Sequence, residues 1–361
     1  MIKRARWVVI VLSLLNGLFS VHAQSGSLPP YARLNGLRFE FQTWCNCGPV
    51  NLTMALSYYG WPDDQQTAAG WLKPTVEDKN VSPDQMVAYV NQQTVLPNIR
   101  ALWRYGGNVD VIRALIAAGF PVIIESGFQP EGHEWMGHYE TVVAYDDAVQ
   151  TFWVYDSYSG LGADYLGIQH TYSDLDAWWR HFNRAFIVVY PVEQESAVLA
   201  LLGSLSDPLA AADQALITAR QETATNPADV WGWFNFGTSA AAVGQYADAA
   251  AAYDRAFEIG LPFRMIWYQF GPYAAYYYTG RYYDVLAVVR DVEAITLEVE
   301  ETSYWKGLAL AALGRTDEAL AEFNRAIAWN PHFTPASEAR DQVLAGQYVA
   351  PAPLTTTEKL P

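Results

Sequence analysis

Three glycines, Gly244, Gly280 and Gly314, stand 36 and 34 residues apart, and each is followed two positions later by Tyr or Thr. A period near 34 in a run of helix formers leaves room for little except stacked helix-turn-helix units, each burying its apolar face only against its neighbours. The surrounding composition agrees. After Pro191 the chain becomes Ala-rich, and no strand pattern is present between Ser206 and Arg340. The first unit carries Trp233-x2-Phe236-Gly237, Ala249, Tyr253 and Ala256, and the third carries Gly307, Ala319, Phe323, Ala326 and Pro331. Small residues let paired helices approach, and the aromatics fill the space between them. The middle unit keeps Trp267-x2-Phe270-Gly271 but places Pro272, Val285, Val289 and Val292 at positions that ask for helix formers, small residues or aromatics. Its helices are expected to be irregular.

The half before Pro191 has another grammar. Leu52 to Tyr59 and Val109 to Ala118 read as helices, the second ended by Gly119. Then β-branched and aromatic runs follow at 121–125, 139–145, 151–155 and 185–190, bounded by turn residues. Helices followed by strands predict an α+β domain over 31–192. A linker helix region over 193–225, repeats over 226–340 and a flexible tail over 345–361 complete the expected plan. With 361 residues, 51% apolar and 17% charged, the chain can bury the cores this plan needs.

Charge and cysteine count exclude several functions. The formal charge is −16, which repels nucleic acid and anionic lipid. Two cysteines, Cys45 and Cys47, cannot frame a disulfide scaffold or supply a Cys-type zinc site, so neither cofactor nor metal is implied. Residues 1–23 pair a basic start (Lys3, Arg4, Arg6) with an apolar run from Trp7 to Phe19 and a small-residue exit at Val21-His22-Ala23. This pattern predicts a secretory signal peptide cut after Ala23, an exported mature chain, and no transmembrane segment once it is removed.

The chemistry concentrates in Gln42-Thr-Trp-Cys-Asn-Cys-Gly-Pro49, directly ahead of a helix. A cysteine at a helix N-terminus is favoured as thiolate by the positive end of the macrodipole, and Cys47 occupies that place. Gln42 carries a side-chain amide able to pair with the nucleophile's backbone N–H as an oxyanion hole. His138 opens one strand run and Asp156 ends the next, so a hairpin would set imidazole beside carboxylate. Rivals exist at each role. Cys45 reads as a packed thiol, a redox cap on Cys47 or the nucleophile itself; His133 lies in a polar loop; Asp146 and Asp147 read as a turn. Asn51-Leu-Thr53 and Asn80-Val-Ser82 fit the glycan-acceptor pattern, the first behind Cys47, where a glycan would clash.

Gln42-x4-Cys47-Gly-Pro with Tyr58-Tyr59-Gly60 at the helix end, Gly137-His138-Tyr139 leading to Tyr145-Asp146, Val154-x-Asp156, and Leu115-x3-Gly119-x-Pro121 together resemble the papain-like bacteriocin-processing cysteine peptidases, the thirty-ninth family of cysteine peptidases, in their stand-alone, transporter-free form. The repeats resemble tetratricopeptides. The resemblance implies Cys47 as nucleophile, His138 as base, Asp156 as its orienter and Gln42 as oxyanion donor, in a domain that hydrolyses peptide bonds. The chain departs from that family at Ser157, where Pro is frequent, and at Ala144, where Gly is usual. The expected architecture is an α+β papain-like cysteine peptidase domain followed by an all-α tetratricopeptide-type helical array. A peptide or protein is the expected substrate, and the repeats are expected to recruit a peptide or protein partner. Trp233, Trp267, Tyr268, Tyr273, Tyr276, Tyr277 and Tyr278 are either groove contacts for that partner or packing between helices. The alternative function is a catalytically silent scaffold that acts as an extracellular binding module.

Overall fold

The computed structural model describes residues 27–75, 79–93 and 96–352. The signal segment 1–23 and the tail beyond 352 lie outside the described residues.

Alternation of apolar side chains along the strands builds the N-terminal domain. A seven-stranded antiparallel sheet comprises β1 (Tyr31–Arg33), β2 (Ile99–Arg104), β3 (Val122–Phe128), β4 (Met136–Asp146), β5 (Thr151–Tyr155), β6 (Ile168–Thr171) and β7 (Phe186–Pro191). The order is β2-β7-β3-β4-β5-β6, with β1 also paired to β4. Odd-numbered residues Ile123, Tyr139, Ile187 and Val189 face one core, shared with helices α1 (Cys47–Ser57), α2 (Gln65–Leu72) and α3 (Pro83–Gln93). Even-numbered Val122, Ile124, Val142 and Val188 face a second core, shared with α4 (Val109–Ala117) and α6 (Glu195–Leu202), while α5 (Tyr172–Trp179) closes its edge. Because both faces are covered, β3 is buried at every position but its last, Phe128. The edge elements β1, β2 and β6 and helices α2, α3 and α5 were not apparent in the sequence pattern.

The expected linker region is not a linker in structure. Helix α7 (Pro208–Thr225) buries Ala211 in the second sheet core and Leu216 and Ala219 in the core of the array. One helix thus joins both packing units.

The array follows as α8 (Val230–Ala242), α9 (Tyr246–Ile259), a 3₁₀ turn (Phe263–Trp267), α10 (Gly271–Tyr278), α11 (Tyr282–Glu293), α12 (Glu300–Ala312), α13 (Thr316–Trp329) and α14 (Thr334–Leu344). The turn glycines Gly244, Gly280 and Gly314 have φ of +78°, +75° and +75°, a region costly for any residue with a Cβ, which is why they recur with the period. Close approach sets the size pattern. A Cβ on Gly237 would lie 2.6 Å from the Tyr253 ring, and one on Gly307 would lie 2.5 Å from Phe323.

Of the seven aromatics read as either groove contacts or packing, Tyr278 is half-buried and the other six are internal. Trp233, Trp267, Tyr268, Tyr273, Tyr276 and Tyr277 are all buried. The N-terminal domain itself lies against the first helix of each unit. Asn235 on α8 donates to the Arg180 carbonyl at 2.7 Å, Gln85 donates to Glu301 on α12 at 2.8 Å, and Lys79 pairs with Glu300. Trp71 stacks on His332, with ring centroids 5.0 Å apart.

Candidate active site

The chain enters α1 through a tight turn in which Cys45 adopts φ +50°, a left-handed conformation that costs an L-residue about 1 to 2 kcal/mol. Cys47 is the first residue of α1, and the first turn holds no acidic residue to neutralise the helix's positive end. Gly48 follows because little else fits: a Cβ there would meet Val81 at 3.3 Å. Asn51, fully buried one turn on, donates to the carbonyls of Cys47 (2.9 Å) and Tyr139 (2.7 Å) and accepts from Thr141 Oγ1 (2.8 Å). This pins the helix start to β4 beside His138. Asn51 therefore has no amide available to a glycan.

His138 and Asp156 come from neighbouring strands. Tyr155 at the end of β5 is opposite Thr141 of β4, so Asp156, one step further, becomes the diagonal neighbour of His138. The His138 Nε2 to Asp156 Oδ1 distance is 2.8 Å with both side chains buried. The same carboxylate oxygen accepts the backbone N–H groups of Tyr158 (2.8 Å) and Ser159 (3.1 Å). With Nε2 engaged, Nδ1 is the ring nitrogen left to face the Cys47 thiol, which lines the same cleft. Burial opposes charging the imidazole, but the bonds to Asp156 and Cys47 and their charges overcome it and push His138 up to about 10. For Asp156, burial works against ionisation, yet His138 and the Ser159 bonds hold it well below the usual carboxylate range.

Gln42 is fastened to the loop after β5. Its backbone N–H donates to the Ser157 carbonyl at 2.9 Å, and its Oε1 accepts from Ser157 Oγ at 2.9 Å. With the amide oxygen held, the NH2 end is the side of the group available to the cleft. Ser157, a departure from the family pattern, thereby orients Gln42. Gln42, Cys45, Cys47 and His138 line one cleft of about 430 Å³. Cys45 and Cys47 are not joined as a disulfide.

The rival groups sit elsewhere or serve elsewhere. His133 is exposed on the turn at the cleft rim. Asp146 accepts the Ala148 N–H at 2.8 Å, and Asp147 pairs with Arg113 and accepts from Tyr172 at 2.8 Å. Sequence reasoning passed over Asn51, Ser157 and Glu125. Glu125, buried on β3 opposite Tyr139, accepts from Asn80 at 2.7 Å. Burial pushes it up to about 8 against the bonds from Asn80 and Tyr139, with Cys47 and Asp84 adding to the rise. A buried Glu in a β-branched run was the available signal. Among the described residues there is no group of three His, Cys, Asp or Glu placed to hold a metal ion, and no helix long and apolar enough to cross a membrane.

Comparison with known proteins places these elements. Residues 27–186 match the Peptidase_C39 like family, and residues 301–333 match the tetratricopeptide repeat family. The α+β domain thus holds the region similar to the first family, and the helical array holds the region similar to the second. No curated protein matches it significantly. A solved structure titled "MamA RS-1 ArsTM double mutant" is similar at 15% identity, covering 43% of this chain and 95% of that one, with a TM-score of 0.31 that carries no argument.

Proposed function

We propose that the Peptidase C39-like domain is an active thiol peptidase, with Cys47 as nucleophile, His138 as acid and base, Asp156 as orienter and Gln42 as oxyanion donor. The supporting observation is that His138, held by Asp156 at 2.8 Å, shares one cleft with Cys47 at the N-terminus of α1. In this reading the Cys47 thiolate attacks a peptide carbonyl carbon, and the developing oxyanion is met by Gln42 Nε2 and the Cys47 backbone N–H, which has no partner within its helix. The imidazolium of His138 gives its proton to the leaving amine as the C–N bond breaks, leaving a thioester. Neutral His138 then takes a proton from water, hydroxide attacks the thioester, and Cys47 departs as thiolate with release of the acid product. Asp156 keeps the ring in the tautomer and orientation both steps require.

Export belongs to the same reading, supported by the basic, apolar and small-residue succession of residues 1–23. The mature protein would begin at Gln24, which N-terminal sequencing of the secreted chain checks.

The deciding experiment is hydrolysis of a peptide library by the mature chain, with limiting iodoacetamide at neutral pH as a companion measurement. Cys47-dependent hydrolysis and preferential labelling of Cys47 over Cys45 are expected. Undiminished hydrolysis by Cys47→Ala would refute the assignment, and a chain inert toward all peptides and unlabelled at Cys47 would leave the silent scaffold.

A further inference from the structure

The stretch of chain that leads into α3 forms one wall of the cleft. Lys79 and Asn80 line it together with Cys47 and His138. The next residue, Val81, packs on the start of α1, where its Cβ would lie 3.3 Å from a Cβ on Gly48. Asn80 thus adjoins the residue that touches the immediate neighbour of Cys47. The stretch is fixed from three sides. Lys79 pairs with Glu300 of α12, both side chains buried, and the Val81 carbonyl accepts the Tyr139 hydroxyl at 2.8 Å. Between them Asn80 Nδ2 donates to Glu125 Oε1 at 2.7 Å, and Gln269 of the second repeat unit reaches the other carboxylate oxygen at 3.5 Å. A buried ion pair and a buried carboxyl add little net stability, because desolvation offsets what their contacts return. What this cluster secures is the geometry of the wall.

The orientation of the Asn80 amide follows from that geometry. Glu125 is buried behind the wall, whereas Asn80 is half-buried and lines the cleft. With Nδ2 turned to Glu125, Oδ1 is the end of the amide available to the cleft, and a carbonyl oxygen has two lone pairs to offer. Gln42 is held in the opposite sense, its Oε1 bonded to Ser157 Oγ, so its NH2 end faces the cleft. The cleft therefore presents a fixed donor and a fixed acceptor, the pair that a peptide, with one C=O and one N–H per unit, requires. The same contact bears on Asn80-Val-Ser82, which fits the glycan-acceptor pattern: the nitrogen that a glycan would use is turned inward.

We propose that Asn80 is a substrate-binding residue whose Oδ1 accepts a backbone N–H of the bound peptide near the scissile bond, with Glu125 as the group that holds the amide in that orientation. The inference rests on the peptidase reading for its ligand class, but the hydrogen bond is a binding property and can be tested without turnover. The probe is the tightest-binding hexapeptide of a random library selected on the full chain carrying Cys47→Ala. Its analogues replace one backbone amide at a time by an ester, which removes the N–H and keeps the shape. At one position the ester should bind about fivefold more weakly than the amide, the effect of one hydrogen bond. Adding Asn80→Ala should bring that ratio to about one and leave the ratios at the other positions unchanged. Glu125→Gln, whose amide oxygen still accepts from Asn80, should keep the preference. Should Asn80→Ala fail to fold alone, the same comparison is made in the Glu125→Gln background, where no buried carboxylate loses its donor. With Cys47 in place, kcat/KM should fall at the same position, chiefly through KM. A selection that returns no binder, equal binding of all analogues, or a ratio untouched by Asn80→Ala overturns the inference. The expected binding ratios without hydrolysis by the Cys47-bearing chain uphold it and overturn the peptidase reading instead.

Discussion

The sheet carries two histidine–carboxylate pairs, and only one of them touches a nucleophile. His138 and Asp156 meet at 2.8 Å, both buried, and His138 shares its cleft with Cys47. His170 on β6 and Glu140 on β4 meet at 3.2 Å, with the His170 side chain 29% exposed. A hydroxyl is present at the second pair too: Ser126 Oγ lies 3.1 Å from Glu140. It bonds the carboxylate and not the imidazole, which is the wrong order for activating an oxygen nucleophile, because the base must touch the proton it removes. The helix dipole also separates them. Cys47 begins α1, whereas Ser126 lies within a strand, where the net dipole is small. The same residue types on one sheet thus make a candidate catalytic group in one place and a structural pair in the other, according to the order of contacts.

The comparison breaks most plainly on activity. His138→Ala should lower kcat/KM by about 10³- to 10⁴-fold, while His170→Ala should stay within about threefold of the parent. A reversed order in peptide hydrolysis at matched folding would show that the pairs have been assigned the wrong way round. Gln42→Ala should cost about 10²- to 10³-fold in kcat, the effect of removing one oxyanion donor. Ser157→Ala, which frees the Gln42 amide without removing it, should cost about tenfold and leave the pH profile in place; a loss as large as that of Gln42→Ala would mean that Ser157 acts on more than Gln42.

The next test uses pH. A histidine raised to about 10 in the folded chain stabilises it fully below the unfolded value near 6.5, and that contribution is lost as pH rises through about 10. Asp156→Asn should therefore shrink the stability difference between pH 6 and pH 10 in denaturant titrations, and NMR should show the His138 titration moving down toward 6.5. His170 is raised in the same direction, with burial opposing and Glu140 supporting, but its exposure keeps the corresponding change in Glu140→Gln smaller. Glu125 gives the smallest effect on the comparison and a separate sign. A buried carboxyl raised to about 8 loses stability as pH rises from about 4.5 through 8, so Glu125→Gln should flatten that fall by on the order of 1 kcal/mol or more. An unchanged slope in the variant would mean that Glu125 is ionised within the fold.

The legible parts of the chain were those whose cause is local. The spacing of Gly244, Gly280 and Gly314 announces a turn that only a residue without a Cβ adopts cheaply, and the positive φ at all three is its structural counterpart. Strands β4 and β5 were visible because they are long or rich in β-branched and aromatic residues. Strand β1 is three residues long and takes its pairing from β4, and β2, Ile-Arg-Ala-Leu-Trp-Arg, becomes a strand by pairing with β7, so neither announces itself locally. At the site, Cys47, His138 and Asp156 stand out as candidates because each sits at or near the start or end of a recognisable element, and Gln42 because it lies five residues ahead of Cys47. Asn51 and Ser157 could not. Their roles exist only once α1, β4 and the loop after β5 converge, with Asn51 and Tyr139 separated by 88 positions.

The sequence by itself determined the two grammars of this protein, an alternating sheet half and a helical half whose turns recur every 34 to 36 residues, because periodicity is written in neighbouring residues. It also determined that a thiol would stand at a helix start. Tertiary structure alone decided where the two halves touch. The middle unit reads only as irregular, from Pro272 and its valines, yet in the fold its broken leading helix brings Arg264 and Tyr268 to the cleft of Cys47. The aromatics that could have faced a partner are, except for the half-buried Tyr278, buried between helices and against the sheet domain. The physical reason is that burial of an aromatic and the lining of a cleft depend on which surfaces meet across more than a hundred residues, and no local spacing encodes that meeting.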